Sequence, residues 1–129
     1  MLTAALLVTA LLFGGMLLFS FGFAAFVFSA LPADQAGPTI RRAFPHFYIF
    51  VLVTSVIAAA LLWSKDDVSA ILLAVIAVTT IPTRQFLMPA INRATDSGAK
   101  ALFDKLHKLS VFITISHMVM TGVVLARFV

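Results

Sequence analysis

The chain has 129 residues, 62% of them apolar and only 11% charged, whereas a soluble domain carries roughly 45–50% apolar and about 25% charged residues. So little charge cannot keep a water-facing surface soluble, which excludes a soluble domain and a disordered chain. The formal charge is +4, but the nine bases lie mainly between long apolar runs, a layout that orients helices in a membrane rather than one that tracks nucleic-acid phosphates. Cysteine is absent, so neither a disulfide nor a thiolate metal site can form.

A membrane helix needs about 20 mostly apolar residues. Residues 2–31 contain no charged side chain. The stretch lacks a basic n-region and far outlasts the roughly 7–15 apolar residues of a signal peptide, so it predicts a retained transmembrane helix. Pro32-Ala33-Asp34-Gln35-Ala36-Gly37-Pro38 then reads as a turn-rich loop. A second helix is expected over 46–64, opened by Pro45 and closed at an interface-seeking Trp63. Asp66 and Asp67 complement the positive end of a third helix over 67–88, in which Pro82 predicts a kink. The fourth, over 97–128, would be capped by Asp96 or Ser97. It opens with an amphipathic turn sequence (Ala99, Leu102, Phe103, Leu106 and Leu109 against Lys100, Asp104 and Lys108) before turning wholly apolar. Lys100–Asp104 and Asp104–Lys108 are one helical turn apart.

The expected fold class is therefore an all-α membrane protein, an up-and-down four-helix bundle forming one domain over 1–129. In lipid, helices associate through small residues and interhelical hydrogen bonds. Gly15, Gly22 and Ser29 recur every seven residues on the first helix, and the fourth carries a polar seam of His107, Ser110, Thr114, His117 and Thr121. The Gly15/Gly22 face would pack within the bundle or against a protein partner or a second copy of the chain.

Ionisable groups at membrane depth are candidates for function. Arg84 follows Pro82 near one end of the third helix. It reads either as a snorkelling anchor or as a fixed positive charge that binds a phosphate, carboxylate or lipid headgroup. His46 and His107 belong to the same end and would form a ligand-binding mouth with Arg84, Asp104 orienting His107. His117 lies about 15 Å deeper than His107 and faces about 80° away, so the two cannot share one metal on a straight helix. The plain reading of His117 is a hydrogen bond to a neighbouring helix; the sharper one, which His107 shares, is a metal or b-type haem ligand. His117-Met118-Val119-Met120 does not make a soft-metal site, because residues two apart on a helix point about 200° apart.

Taken in order, Gly14-Gly15-Met16, Ser29-Ala30-Leu31-Pro32, Phe44-Pro45, Arg84 with Pro89, and Phe103-x-x-x-His107-x-Leu109-Ser110 resemble the transmembrane protein 205-like family. That resemblance implies a compact four-helix membrane bundle and, for many small bacterial members, no assigned chemistry. A more distant resemblance is to four-helix haem-handling membrane proteins, whose first helix usually bears a histidine; Thr3-Ala4-Ala5-Leu6-Leu7-Val8 has none.

The expected function is that of a non-enzymatic, multi-pass inner-membrane protein binding a small ligand, lipid headgroup or partner at a cytoplasmic mouth. Two alternatives stand beside it: a haem- or metal-binding membrane protein, and a structural accessory subunit of a larger membrane complex. Sidedness follows from the bases. Arg41, Arg42, Arg84, Arg93, Lys100, Lys105 and Lys108 fall on one side of the bundle, Lys65 and Arg127 on the other, which puts both termini outside the cytoplasm. A membrane-impermeant thiol reagent applied to intact cells should therefore label Ser64→Cys and spare Thr95→Cys; the opposite pattern would reverse the topology.

Overall fold

The computed structural model describes residues 2–129 as four long helices: α1 (Leu2–Ala30), α2 (Ala33–Leu62), α3 (Asp67–Asp96) and α4 (Lys100–Ala126). Each is long and apolar enough to cross a membrane. They run alternately up and down, α1 packing on α2 and α4, and α3 on α2 and α4. At 27–30 residues each helix is about 40–45 Å long, more than the roughly 30 Å hydrocarbon layer, so its ends reach headgroup level.

The interior is built from Leu12, Met16, Val51, Leu62, Leu73, Ile76 and Val124, none more than 2% exposed. The outer surface is the reverse of a soluble protein's: Phe21, Phe26, Phe86 and Phe112 are 64–72% exposed. Hydroxyls among the helices bond to the carbonyls of their own helix one turn back, as in Thr9 to Ala5 (2.7 Å), Ser55 to Val51 (2.6 Å) and Thr80 to Ile76 (2.7 Å). That arrangement leaves these hydroxyls satisfied where no water is at hand.

Several boundaries differ from expectation. α2 begins at Ala33, not 46, and the supposed loop is helix. The turn is only Leu31 and Pro32, whose carbonyl accepts from the N–H groups of Gln35 and Ala36, both at 2.9 Å. Asp34 complements the dipole in the first turn, and Pro38 and Pro45 are carried inside the helix. Ala36 and Ile40 pack with Val27 of α1, and this contact holds the extension together despite the lost donors.

α3 continues past Met88 to Asp96. Pro82 does not end it: Thr83–Leu87 widens into a π turn, with the Met88 N–H bonding to the Thr83 carbonyl, and the α-helix then resumes. Ser97 and Asp96 do not cap α4, because both belong to the end of α3. Ala99 N–H bonds to Ala94 O (3.0 Å) and Gly98 N–H to Thr95 O (3.2 Å), a Schellman closure that requires the left-handed φ of +69° at Gly98. α4 consequently starts at Lys100 without a side-chain cap and ends at Ala126 rather than 128. A second π turn, Leu18–Phe23, interrupts α1 in a proline-free stretch, where the Ala24 N–H bonds to the Phe19 carbonyl.

At the end that carries both termini, Asp66 caps α3, accepting from the Ser69 N–H (3.3 Å) and hydroxyl (2.6 Å). Arg127, just beyond α4, donates to the same carboxylate from Nε (2.9 Å) and Nη2 (2.8 Å). The Arg127 guanidinium, with Ser69 behind it, holds this carboxyl well below the usual carboxylate range.

Two predictions follow from this packing. A Cβ at Gly15 would stand 2.5 Å from Cε1 and Cζ of Phe50 on α2, whereas one at Gly14 meets nothing within 4 Å. Gly15→Ala must displace that ring and should cost about 1–3 kcal/mol in detergent unfolding, while Gly14→Ala should be neutral or gain about 0.5–1 kcal/mol from helix propensity. Because the Asp66 pKa is lower folded than unfolded, its stabilisation is present above the ordinary value near 3.8 and is lost as pH falls below it. Thermal stability should therefore decline more steeply with acid in the native chain than in Asp66→Asn.

Candidate functional site

All four helices line a half-open cavity of about 700 Å³. α1 contributes Phe19, Ser20, Phe21, Ala24 and Phe28, the first three from its π turn. α2 contributes Gly37, Pro38, Ile40, Arg41, Phe44, Phe47 and Tyr48. α3 contributes Met88, Ile91, Asn92, Thr95 and Asp96, all beyond its π turn, and α4 contributes Phe103, His107, Ser110, Val111, Thr114, Ile115 and Met118. A π turn shifts the facing of every residue after it, and here both shifts fall where packing opens. Close packing of α1 on α4 is concentrated in Leu2–Leu17; beyond it the two helices part, with the exposed Phe21 and Phe28 at the gap.

Volume and lining suit a small ligand, since such sites run to about 300–1,000 Å³ with apolar walls and a few polar groups. One wall is aromatic. The rings of Phe19 and Phe47 stack at 4.2 Å and 9°, and Phe44 meets Phe19 edge-on at 5.2 Å. The polar groups are graded by depth: Arg41, Asp96, Thr95, Asn92 and His107 lie towards the helix ends, and Ser110 and Thr114 farther in. Arg41 of α2 and Asp96 of α3 close the rim in a two-pronged ion pair, Nη1–Oδ1 2.7 Å and Nη2–Oδ2 2.9 Å. Both side chains stay substantially exposed (42% and 60%), so the pair itself contributes only about 0–1 kcal/mol.

The sequence-derived candidates are distributed over several places. His107 lines the cavity, its ring stacked on Phe103 at 5.5 Å and 6°. Asp104 is exposed on the same helix and, among the described residues, makes no ion pair or hydrogen bond with it. His46 is exposed on the other face of α2, beside a shallow apolar groove formed with Gly15, Phe19, Phe23 and Phe50. Arg84 is half-buried and lies outside the cavity lining. Its Nε reaches across to the Pro45 carbonyl of α2 (3.3 Å) and its Nη1 to Gln85 Oε1 (2.7 Å), so it braces α3 against α2. His117 is buried, its Nε2 2.8 Å from the Thr79 hydroxyl of α3. Among the described residues no group of three or more His, Asp or Glu is placed to hold a metal ion.

The polar seam of α4 thus divides: His107, Ser110 and Thr114 face the cavity, while His117 and Thr121 pack against the bundle. The sequence marks Arg41 only as one of the bases that orient the helices and Asp96 only as a candidate cap of the fourth helix, and it gives Asn92 no motif. The signal that would have found the pair is topological, since up-and-down helices bring the start of α2 and the end of α3 to the same end of the bundle.

These features define a small four-helix membrane protein with a half-open cavity between its helices at one end. The chain belongs to a family known by a domain of unknown function, DUF4149, whose model matches residues 7–100. The match takes in nearly all of α1, the whole of α2 and α3 with the Arg41–Asp96 pair, and ends where α4 begins. No curated protein and no solved structure matches the chain.

The bond that separates the buried half of the seam from the cavity half is open to measurement. Interhelical hydrogen bonds in membrane proteins couple by about 0.6 kcal/mol on average and up to about 1.7. A double-mutant cycle of Thr79→Val with His117→Leu should return a coupling in that range. A cycle pairing Thr79→Val with His107→Leu should return none.

Proposed function

We propose that this protein is a non-enzymatic, multi-pass membrane protein that takes a small amphipathic molecule from the bilayer into the cavity between its four helices. The observation that carries this reading is the cavity itself: about 700 Å³, with an aromatic and aliphatic wall and its charged groups at the rim. A ligand with an apolar body and a polar end would satisfy both regions, and the parted α1–α4 edge gives it a lateral route from lipid. His107, Ser110 and Thr114 would be its hydrogen-bonding partners from α4. Arg84 would position the site from outside, by fixing α3 on α2.

The base count supports a rim that faces the cytoplasm of a plasma or inner membrane. The motif order supports a closer kinship with the transmembrane protein 205-like family inside the broader membership.

The test uses protein in phosphatidylcholine nanodiscs and a pyrene-labelled long-chain alcohol as reporter. Saturable binding to the native chain is expected, with Thr114→Trp, which intrudes into the cavity, weakening it at least about tenfold. Equal binding by the two chains, or none by the native one, would overturn the cavity reading and favour an accessory subunit.

A further inference from the structure

The cavity and the charge of the molecule share one end. Seven bases and three acids (Asp34, Asp96 and Asp104) belong to the half of the bundle that holds the cavity, and two bases and two acids to the other, so the whole formal charge of +4 lies in the cavity half. Depth along the helices is equally informative. Arg42 on α2 and Lys108 on α4 are the last charged residues before the apolar stretches, marking the headgroup boundary. The cavity crosses it. Arg41 and Asp96 lie on the headgroup side, whereas Phe47 and Met118 lie in the acyl layer, Met118 being about 15 Å deeper than Lys108. An occupant spanning that boundary has a charged head at the rim and a chain below it.

Arg41 supplies the recognition. It is the cation in the cavity lining, and its guanidinium presents a planar fork that already grips a carboxylate with two hydrogen bonds. The carboxylate is Asp96, on a different helix and 60% exposed, in a pair whose net worth is small. A ligand anion would meet the same fork at little cost, with Asp96 turning out to water. Resting on the cavity reading above, we propose that the occupant is a single-chain anionic amphiphile, a carboxylate or phosphate headgroup on one long alkyl chain. Its head displaces Asp96 from Arg41, and its chain lies against Phe47 and Met118. Asp96 is then an internal competitor that occupies the fork when no ligand is present.

Competition predicts opposite effects from two substitutions that break the same ion pair. In phosphatidylcholine nanodiscs, palmitate and hexadecyl phosphate should displace the pyrene-labelled alcohol at concentrations at least about tenfold below hexadecanol. Arg41→Gln should abolish that preference, and Asp96→Asn should enlarge it. Arg93→Gln, an exposed base outside the lining, should leave it unchanged. The relative potency of palmitate and hexadecyl phosphate tells whether a fatty acid or a phosphate-headed lipid is the better fit.

Equal displacement by all three probes would overturn the anionic proposal and leave the cavity reading standing; failure of the alcohol reporter to bind at all would remove both. If Arg41→Gln and Asp96→Asn shift the preference in the same direction, the ion pair is only a structural tie. If Arg93→Gln lowers it as much as Arg41→Gln, the preference belongs to general surface charge. Should Arg41→Gln fail to fold, Arg41→Lys serves in its place: it keeps the charge, loses the fork and should reduce the preference.

Discussion

In a hydrocarbon layer every backbone and side-chain polar group must find its partner inside the protein, and most of this structure follows from that constraint. The buried hydroxyls of Thr9, Ser55, Thr80 and Thr121 all turn back on carbonyls of their own helices. Among the described residues no buried side-chain polar atom lacks a partner. Four prolines, Pro38, Pro45, Pro82 and Pro89, sit within α2 and α3 without ending them. In α3 the adjustment is visible: the chain between Pro82 and Pro89 changes from four-residue to five-residue hydrogen-bond spacing rather than unwinding. Self-bonded hydroxyls leave few groups free to tie helices together, so the bundle depends on close approach at small residues and on single polar bonds such as Thr79–His117.

The same constraint explains what could be read from the sequence. Four helices, their alternation and the apolar spans were legible because hydropathy over about 20 residues is a strong signal. The start of α2 was not. Gly37 and Pro38 read as breakers by local propensity, yet Ala36 and Ile40 bury against Val27, a contact 9 and 13 residues away that no local pattern announces. Pro82 correctly marked an irregularity in α3, but not its form. The π turn of α1 had no mark at all: Leu18–Phe23 is apolar, proline-free and indistinguishable by composition from the turns around it. Since the cavity depends on that turn, the cavity could not have been found from the sequence.

For the candidate residues, facing and depth both differ. His107 lies about two turns inside α4 and turns to the cavity, whereas His46 and Arg84 lie near the middle of α2 and α3, His46 turned to the outer groove and Arg84 to the Pro45 carbonyl. A π turn just before Met88 rotates the rest of α3, so facing cannot be carried across it by counting 100° per residue. That rotation brings Asn92, Thr95 and Asp96 onto the cavity and sets Asp96 opposite Arg41. His117 was the simpler case. Its depth and the shortage of other polar groups made a bond to a neighbouring helix the economical reading, and Thr79 supplies it.

The two halves of the bundle differ in how closely they pack. The half that holds the termini is tight: Leu12 and Val124 are 0% exposed, Met16 1%, and Asp66 and Arg127 tie the α2–α3 turn to the end of α4. The other half keeps a half-open cleft of about 700 Å³. In water such a cleft would draw its apolar walls together, but lipid chains are as apolar as the walls, and the force that would close it is largely missing. Local stiffness decides the matter instead. The Phe19–Phe47 stack holds α1 to α2, Arg84 holds α3 to α2, and the Schellman turn at Gly98 fixes the angle at which α4 leaves α3. With α2 serving as the common support for α1 and α3, the edge left without such a tie is α1 against α4, and that is the edge along which the cavity opens.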